Sequence, residues 1–418
     1  MKIALVTGAF PPEFVGGTER VVAAQARALQ QRGHEVLVVC GSQDKRHGFR
    51  QEVRDEDGLA VLRIAKTRVE SSQAHWQFAR LARIVDDATV GYDVVHVHHW
   101  AGLSGDLVRR LQRRVPVVLS LHDAFASCPR HFRVPLEDCV CPSSRPTSDC
   151  ARCVVPLVGE ASPHDLEEAV AARWTSFRAE IEAASLVVTP SRSLRASLGA
   201  WMELDSSSWE VVPHGLCQEL TPVPTTREDG GPLTVVSFGN RARAKGTLDL
   251  VRAMAALPEG SAKLLLLGAE VEPGVDAELH AAAGSLALEL EGRYDDARLA
   301  QRAAQADLAA FPSRAEESYG LVVEEALALG LPVWVSDRGA LPEVLTDVAG
   351  RGALPGGVLP AEDPAAWTRE LQRLVEDPRR LQDARALVPA APRTVESAVE
   401  QQLRIYAEAL QHNPVPGP

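Results

Sequence analysis

Short apolar runs alternate with stretches of helical periodicity along this chain, and that alternation leaves few folds open to it. Residues 2–7, 35–40, 59–64, 92–99, 115–121, 186–189, 233–238, 263–267, 288–291, 306–311 and 333–336 read as strands. Helical patterns cover about 20–32, 103–113, 163–184, the run to about 256, and 297–305, and a last amphipathic helix is expected over 395–411. Strand, helix and strand in succession make the βαβ unit, so the class is α/β. At 418 residues the chain exceeds what one core holds. The polar run 224–231 reads as a linker, which gives domains of 1–216 and 217–394, with 395–418 as a closing helix and proline-rich tail.

Residues 311–330, FPSRAEESYGLVVEEALALG, carry the most chemistry. A strand end is followed by a turn, an acidic doublet, a Tyr319-Gly320 corner and a helix stopped by Gly330. The first turn of a helix has N–H groups without intrahelical partners and a partial positive charge, so the amides from Tyr319 to Val322 form a cradle for an anion such as a pyrophosphate. Glu316 and Glu317 precede the cradle, and Glu324 and Glu325 follow it. Carboxylates on both sides of bound phosphates suit the hydroxyls of a nucleotide-sugar. A plain acidic first turn that complements the helix dipole is the alternative. A second basic junction, Arg241-Ala-Arg243-Ala-Lys245-Gly246, follows the strand 233–238 and suits phosphate neutralisation.

Other candidates come from loops. Gly16-Gly17-Thr18-Glu19 opens a helix with spacing that is neither a dinucleotide fingerprint nor a P-loop. Asp55-Glu56-Asp57 reads as solvated turn acids rather than a metal site. His96 and His98 share a strand face, and His122 stands at a strand's carboxyl end, where ligands bind in open α/β sheets. Cys128, Cys139, Cys141, Cys150 and Cys153 crowd into the loop 124–160, which breaks the α/β rhythm. Cys150 and Cys153 make a half-site for tetrahedral zinc that Cys128 and Cys139 (or Cys141) can complete; reduced thiols in an acceptor loop are the alternative. A formal charge of −12 excludes nucleic acid as the main partner. No apolar run is long enough to span a bilayer, and the apolar residues 1–6 are too few for a signal-peptide core. A cytoplasmic, reducing location is the expectation; peripheral membrane contact stays open.

Glu317-x-Tyr319-Gly320-Leu321-Val322-x-x-Glu325-Ala326, with Gly330-Leu331-Pro332-Val333 and Ser336-Asp337-x-Gly339 beyond it, resembles the E-x7-E signature of the retaining GT-B enzymes of glycosyltransferase family 4. The eight-residue offset also fits Glu316 with Glu324; the family's contexts select Glu317 and Glu325. Pro11-Pro12 through Glu19, the His122-Asp123 strand end and Lys245-Gly246 match in family order, while Asn240 stands where the family has arginine, so Arg241 or Arg243 is expected to substitute. The resemblance implies two Rossmann-like domains facing across a cleft, the last helix crossing back to the first. It implies transfer of a sugar from a UDP- or GDP-linked donor to a glycan, lipid-linked or small-molecule acceptor, as in polysaccharide or natural-product biosynthesis, without a catalytic metal. Gly17, Arg241, Lys245 and the amides of Tyr319, Gly320, Leu321 and Val322 would hold the diphosphate, Glu325 the ribose, Glu317 the sugar hydroxyls, and His122 would lie near the anomeric carbon. An epimerase or hydrolase of nucleotide-sugars and a non-catalytic bilobal sugar-binding protein are the other readings.

Overall fold

The computed structural model describes residues 1–42, 48–65, 76–136, 139–158, 163–224, 231–350, 352–390 and 392–412. Most of the expected linker and all but the start of the tail lie outside these residues. The chain divides into two compact units: Met1–Cys217 with Thr394–Pro418, and Gln218–Arg393.

The first unit is built on eight strands: β1 (Lys2–Thr7), β2 (Glu35–Gly41), β3 (Gln51–Glu56), β4 (Leu59–Ile64), β5 (Val94–Val97), β6 (Val117–Ser120), β7 (Leu186–Thr189) and β8 (Glu210–Val211). Their order across the sheet is β3-β4-β2-β1-β5-β6-β7-β8, parallel except for the β3–β4 hairpin. Alternate residues of β1 point to opposite faces. Ile3 and Leu5 pack with the helices Gly17–Gln31 and Val395–His412, whereas Ala4 and Val6 pack toward Leu81, Leu107 and Phe177. The last helix therefore belongs to the first unit's core, with Ala398, Val399, Ile405, Tyr406 and Ala409 buried in it.

The second unit holds β9 (Leu233–Phe238), β10 (Ala262–Leu267), β11 (Ala287–Glu291), β12 (Leu308–Phe311), β13 (Val333–Ser336) and β14 (Gly356–Leu359), all parallel in the order β11-β10-β9-β12-β13-β14. In each sheet the chain starts in the middle, builds outward, then returns and builds the other way. The reversal falls between β1 and β5 in one sheet and between β9 and β12 in the other. At such a point the loops leaving two adjacent carboxyl ends diverge to opposite faces and leave a crevice for a ligand.

Two local readings change. The helix expected over 103–113 shrinks to Leu107–Leu111, because the Ser104 hydroxyl accepts the N–H of Phe78 and donates to Asp106, while the N–H of Gly105 reaches the Trp76 carbonyl. Gln51–Glu56, not expected as a strand, pairs antiparallel with β4, and Asp57-Gly58 forms the hairpin turn with both φ angles positive. Asp55 accepts the Gly58 N–H and Glu56 accepts from Arg63, so the acidic triplet is turn chemistry.

Among the described residues, no helix is long and apolar enough to cross a membrane.

Gly246 shows how tightly the β9 and β12 loops meet: its φ is +68°, and a Cβ there would lie 1.9 Å from the Pro312 carbonyl oxygen. Backbone cannot yield as a side chain can. Gly246→Ala should lower unfolding stability by at least about 2 kcal/mol in urea titration; a loss under about 0.5 kcal/mol would show that the two loops are not locked.

Candidate functional site

The reversal point of the six-stranded sheet brings together loops more than sixty residues apart in sequence. The carbonyl of Ala244, after β9, accepts the N–H groups of Arg314 (2.9 Å) and Ala315 (3.1 Å), after β12. That join sets Lys245 opposite Glu317, with Nζ 2.8 Å from Oε1. The Ser313 hydroxyl donates to the same carboxylate oxygen at 2.7 Å. Burial alone would raise the Glu317 pKa, but the Lys245 charge and these hydrogen bonds outweigh it and hold the carboxyl below its ordinary value. Glu317 is thus an ionised carboxylate clamped by a lysine. The helix Leu321–Ala328 starts four residues beyond Glu317, with Gly320 as N-cap at φ +102° and no side-chain cap. The N–H groups of Leu321 and Val322 precede any intrahelical acceptor, whereas that of Val323 already donates to the Gly320 carbonyl at 2.9 Å.

The structure corrects the expectation for Arg241. Its guanidinium is buried and runs sideways under the sheet end: Nε and Nη2 each donate to Asp276 at 2.6 Å, and Nη1 donates to the carbonyls of Gly268 and Glu291. Four of its five N–H groups are thereby engaged, so Arg241 braces the turns after β10 and β11 rather than facing a ligand. Arg243 points outward to Glu272 and Glu278. Lys245 is the cation of this junction that meets a predicted site residue. Asp276, Gly268 and Glu291 lie 27 to 50 residues from Arg241, and no local pattern marks them as its partners.

The acidic residues separate by rotation around their helix. Glu324 turns back, accepting from the Tyr319 hydroxyl at 2.7 Å with Arg393 at 3.6 Å. Burial pushes its carboxyl up to about 7, opposed by Tyr319 and Arg393. Glu325, also buried, points elsewhere and accepts from Gln218 Nε2 at 2.9 Å. Glu316 is half-buried. Ser313 and Gln218, which hold Glu317 and Glu325, were missed by the sequence reading; Gln218 sits 107 residues from its partner and carries no motif.

Beside the reversal point of the eight-stranded sheet, the ends of β5 and β6 present a column of imidazoles. His98 Nδ1 lies 2.9 Å from His122 Nε2, and His122 stacks on His214 at 5.1 Å. His96, on the same strand face as His98, is tied to the Tyr406 hydroxyl (2.7 Å) and to Ser120 (2.8 Å). Burial and mutual repulsion hold His98 and His122 well below the ordinary imidazole value, and burial alone takes His214 to about 3. His122 is therefore a neutral hydrogen-bonding ring at neutral pH, with Nδ1 buried and unpartnered.

Next to it, Asp123 receives His99 Nε2 (3.4 Å), His131 Nδ1 (3.1 Å) and the Phe125 N–H (2.8 Å). Burial would raise its pKa, but the two imidazoles hold it well below the carboxylate range. The ligand atoms of His99, Asp123 and His131 lie within 4.8 Å of one another. The N–H of Ala101 donates to His99 Nδ1, which puts that ring's proton on Nε2, facing Asp123. A nitrogen carrying a proton has no lone pair for a cation, so the group reads as a hydrogen-bonded clamp. Glu19 reaches back to the N–H of Gly16 as in a capping box, and Gly17 opens that helix exposed.

Cys128, Cys139, Cys141, Cys150 and Cys153 all line one pocket of the first unit. The expected zinc geometry is not preformed: no three of these sulfurs lie within 4.8 Å of one another. The thiols sit on a turn, a loop and one helix that approach from different sides.

Residues 15–219 match the model of Glycosyltransferase Family 4, and residues 232–377 match Glycosyl transferases group 1. The chain belongs to glycosyltransferase family 4. This family 4 chain is 25% identical to a glycogen synthase of Mycobacterium tuberculosis over 90% of its own length and 91% of the relative's. To a D-inositol 3-phosphate glycosyltransferase of Xylanimonas cellulosilytica it is 27% identical over 96% and 93%. The structure of Anabaena Alr3699/HepE in complex with UDP and glucose superposes with a TM-score of 0.63 at 18% identity, over 98% of this glycosyltransferase and all of that chain. The fold is GT-B, and the protein is a glycosyltransferase.

Glu324 gives the glycosyltransferase a pH signature. Its folded-state value of about 7 lies above the ordinary 4.5, so the folded state keeps a proton that the unfolded state releases. Stability from this group is full below about 4.5 and falls by up to about 1.4 kcal/mol per pH unit until about 7. The difference in unfolding free energy between wild type and Glu324→Gln, from denaturant titrations across that range, should therefore decline with rising pH. A difference that stays flat would show that Glu324 is not raised.

Proposed function

We propose that this glycosyltransferase moves a sugar from a UDP- or GDP-sugar to an acceptor hydroxyl with retention of anomeric configuration. The reading rests on the clamped Lys245–Glu317 pair at the reversal point of the six-stranded sheet, with Glu317 three residues before the uncapped N-cap Gly320. A diphosphate needs a cation and oriented N–H donors, and both converge there. Lys245 shares its ammonium between Glu317 and a phosphate oxygen. The first-turn amides of Leu321 and Val322 receive the other oxygens. Glu325 accepts the ribose hydroxyls in place of Gln218, and Glu317 accepts a sugar hydroxyl. The UDP and glucose bound by the Anabaena neighbour support a uridine donor.

The bond that breaks joins the anomeric carbon to a phosphate oxygen, and its electrons stay on the leaving diphosphate. Lys245 and the helix N-terminus stabilise that growing charge from fixed positions, which is where most of the rate gain arises. The acceptor hydroxyl adds to the same face, and its proton passes to the departing diphosphate oxygen. His122, held neutral, offers a ring N–H or lone pair to substrate and does not exchange protons near neutral pH.

Isothermal titration with UDP, GDP and their glucose, mannose and N-acetylglucosamine conjugates tests the donor. Lys245→Ala should raise the dissociation constant roughly ten- to a hundredfold, a loss of about 1.5–3 kcal/mol. Glu317→Ala should lower turnover at least about a hundredfold while Glu316→Ala stays within a few-fold. Unchanged donor affinity in Lys245→Ala, or a dead Glu316→Ala enzyme beside an active Glu317→Ala one, would refute this assignment.

A further inference from the structure

Five of the chain's seven cysteines fall between residues 128 and 153, and all five meet on one pocket wall inside the first unit, none in a disulfide. As neutral thiols they would be small apolar side chains. Their surroundings are built for negative charge instead. Arg173 is buried, donates to the carbonyls of Phe125 and Ala126, lies against the Phe125 and Phe177 rings, and makes no ion pair with a carboxylate among the described residues. A buried guanidinium without a counter-anion is costly. Asp123 is the carboxylate that acts on it, and the Cys128 sulfur lies close enough to do the same once it is ionised.

Cys128 has a second device. The N–H of Arg130, two residues on and across Pro129, points at its sulfur, a contact that favours thiolate over thiol. Arg130 and Arg133 line the same pocket, and Arg152 acts on Cys139. A dication lets several thiols deprotonate together and leaves the residual charge to the arginines.

The geometry selects four of the five. Cys150 and Cys153 lie one turn apart near the start of the helix Ser148–Val158, so both sulfurs share a face. Cys139 is within hydrogen-bonding reach of Cys153, and Cys128 faces Cys153 from the turn after β6. Cys141 also lies near Cys128, Cys150 and Cys153, but its S–H is already given to the Arg133 carbonyl at 3.1 Å. We propose that Cys128, Cys139, Cys150 and Cys153 bind one zinc ion as a closed structural site that ties the loop after β6 to this helix. Four thiols lose four protons to water, and four Zn–S bonds form without any change in oxidation state. A tetrahedral zinc holds its sulfurs roughly 3.8 Å apart, so binding draws these side chains inward by rotation about their Cα–Cβ bonds.

The full chain, purified without chelator from zinc-supplemented cells, should carry about one zinc by elemental analysis. Under native conditions a thiol reagent should leave these four cysteines unreacted, along with the buried Cys40, until a mercurial releases the zinc into a metallochromic dye. Zinc below about a tenth of an equivalent, with these four thiols reactive, would end the proposal. Cys141→Ser should keep the metal; Cys150→Ser should lose it. Should Cys150→Ser fail to fold, the wild-type zinc and thiol counts still decide. Loss of zinc in His131→Ala with retention in Cys150→Ser would put the ion on His99, Asp123 and His131 and overturn the cysteine site.

Discussion

One carbonyl organises the second unit. Ala244 accepts two backbone N–H groups from the turn after β12, and with them the chain joins the two loops that a parallel sheet leaves diverging at its reversal point. Gly246 permits that approach because its neighbour, the Pro312 carbonyl, occupies the space of a side chain. Everything chemical in this unit hangs from the join. Lys245 rides on one loop and Glu317 on the other, and neither side chain could meet its partner if the loops separated by even the width of a water molecule. Arg314, which caps the join through a bidentate pair with Asp249 (2.6 Å to each oxygen), adds a third strut from the following helix. The site is thus assembled by backbone first and by side chains second, the order that gives rigid catalytic geometry.

Parts of this were legible because they depend on neighbours in sequence. Strands β1, β4, β7, β9 and β13 have the ends their apolar runs announce, since burial on both faces demands unbroken hydrophobic residues. The E-x7-E spacing fits two acid pairs, and the structure separates them by rotation: one turn of helix carries Glu324 to Tyr319 and Arg393, and the adjacent position carries Glu325 to Gln218. Arg241 was misread because arginine near a phosphate loop and arginine under a sheet end look alike until Asp276 is brought beside it. The imidazole column was half visible. Period two put His96 and His98 on one face, but Tyr406, 310 residues away, and His214 enter only through the fold.

The two sheets treat charge differently. The second unit concentrates ionised groups at its reversal point, where Lys245 holds Glu317 in its charged form. At the equivalent place the first unit removes charge, because four imidazoles packed ring against ring cannot each hold a proton in so little water. Asp123 is the exception, kept anionic by His99 and His131 beside a neutral His122. A neutral ring next to a fixed anion is a good recogniser of hydroxyl groups, which need one donor and one acceptor within reach of each other.

The closing helix has a consequence for how the polypeptide is made. Its residues Ala398, Val399, Ile405, Tyr406 and Ala409 complete the face of the sheet begun by Ile3 and Leu5. During synthesis, the segment that emerges first must wait for the segment beyond residue 394, while the middle of the chain, contiguous from Gln218 to Arg393, can close as soon as it leaves the ribosome. For roughly ten to forty seconds at about 5–20 residues per second, an apolar groove on the nascent chain lacks its native cover. Such a protein ripens from the inside of its sequence outward, and a chaperone that shields that groove would matter more to its yield than to its final stability.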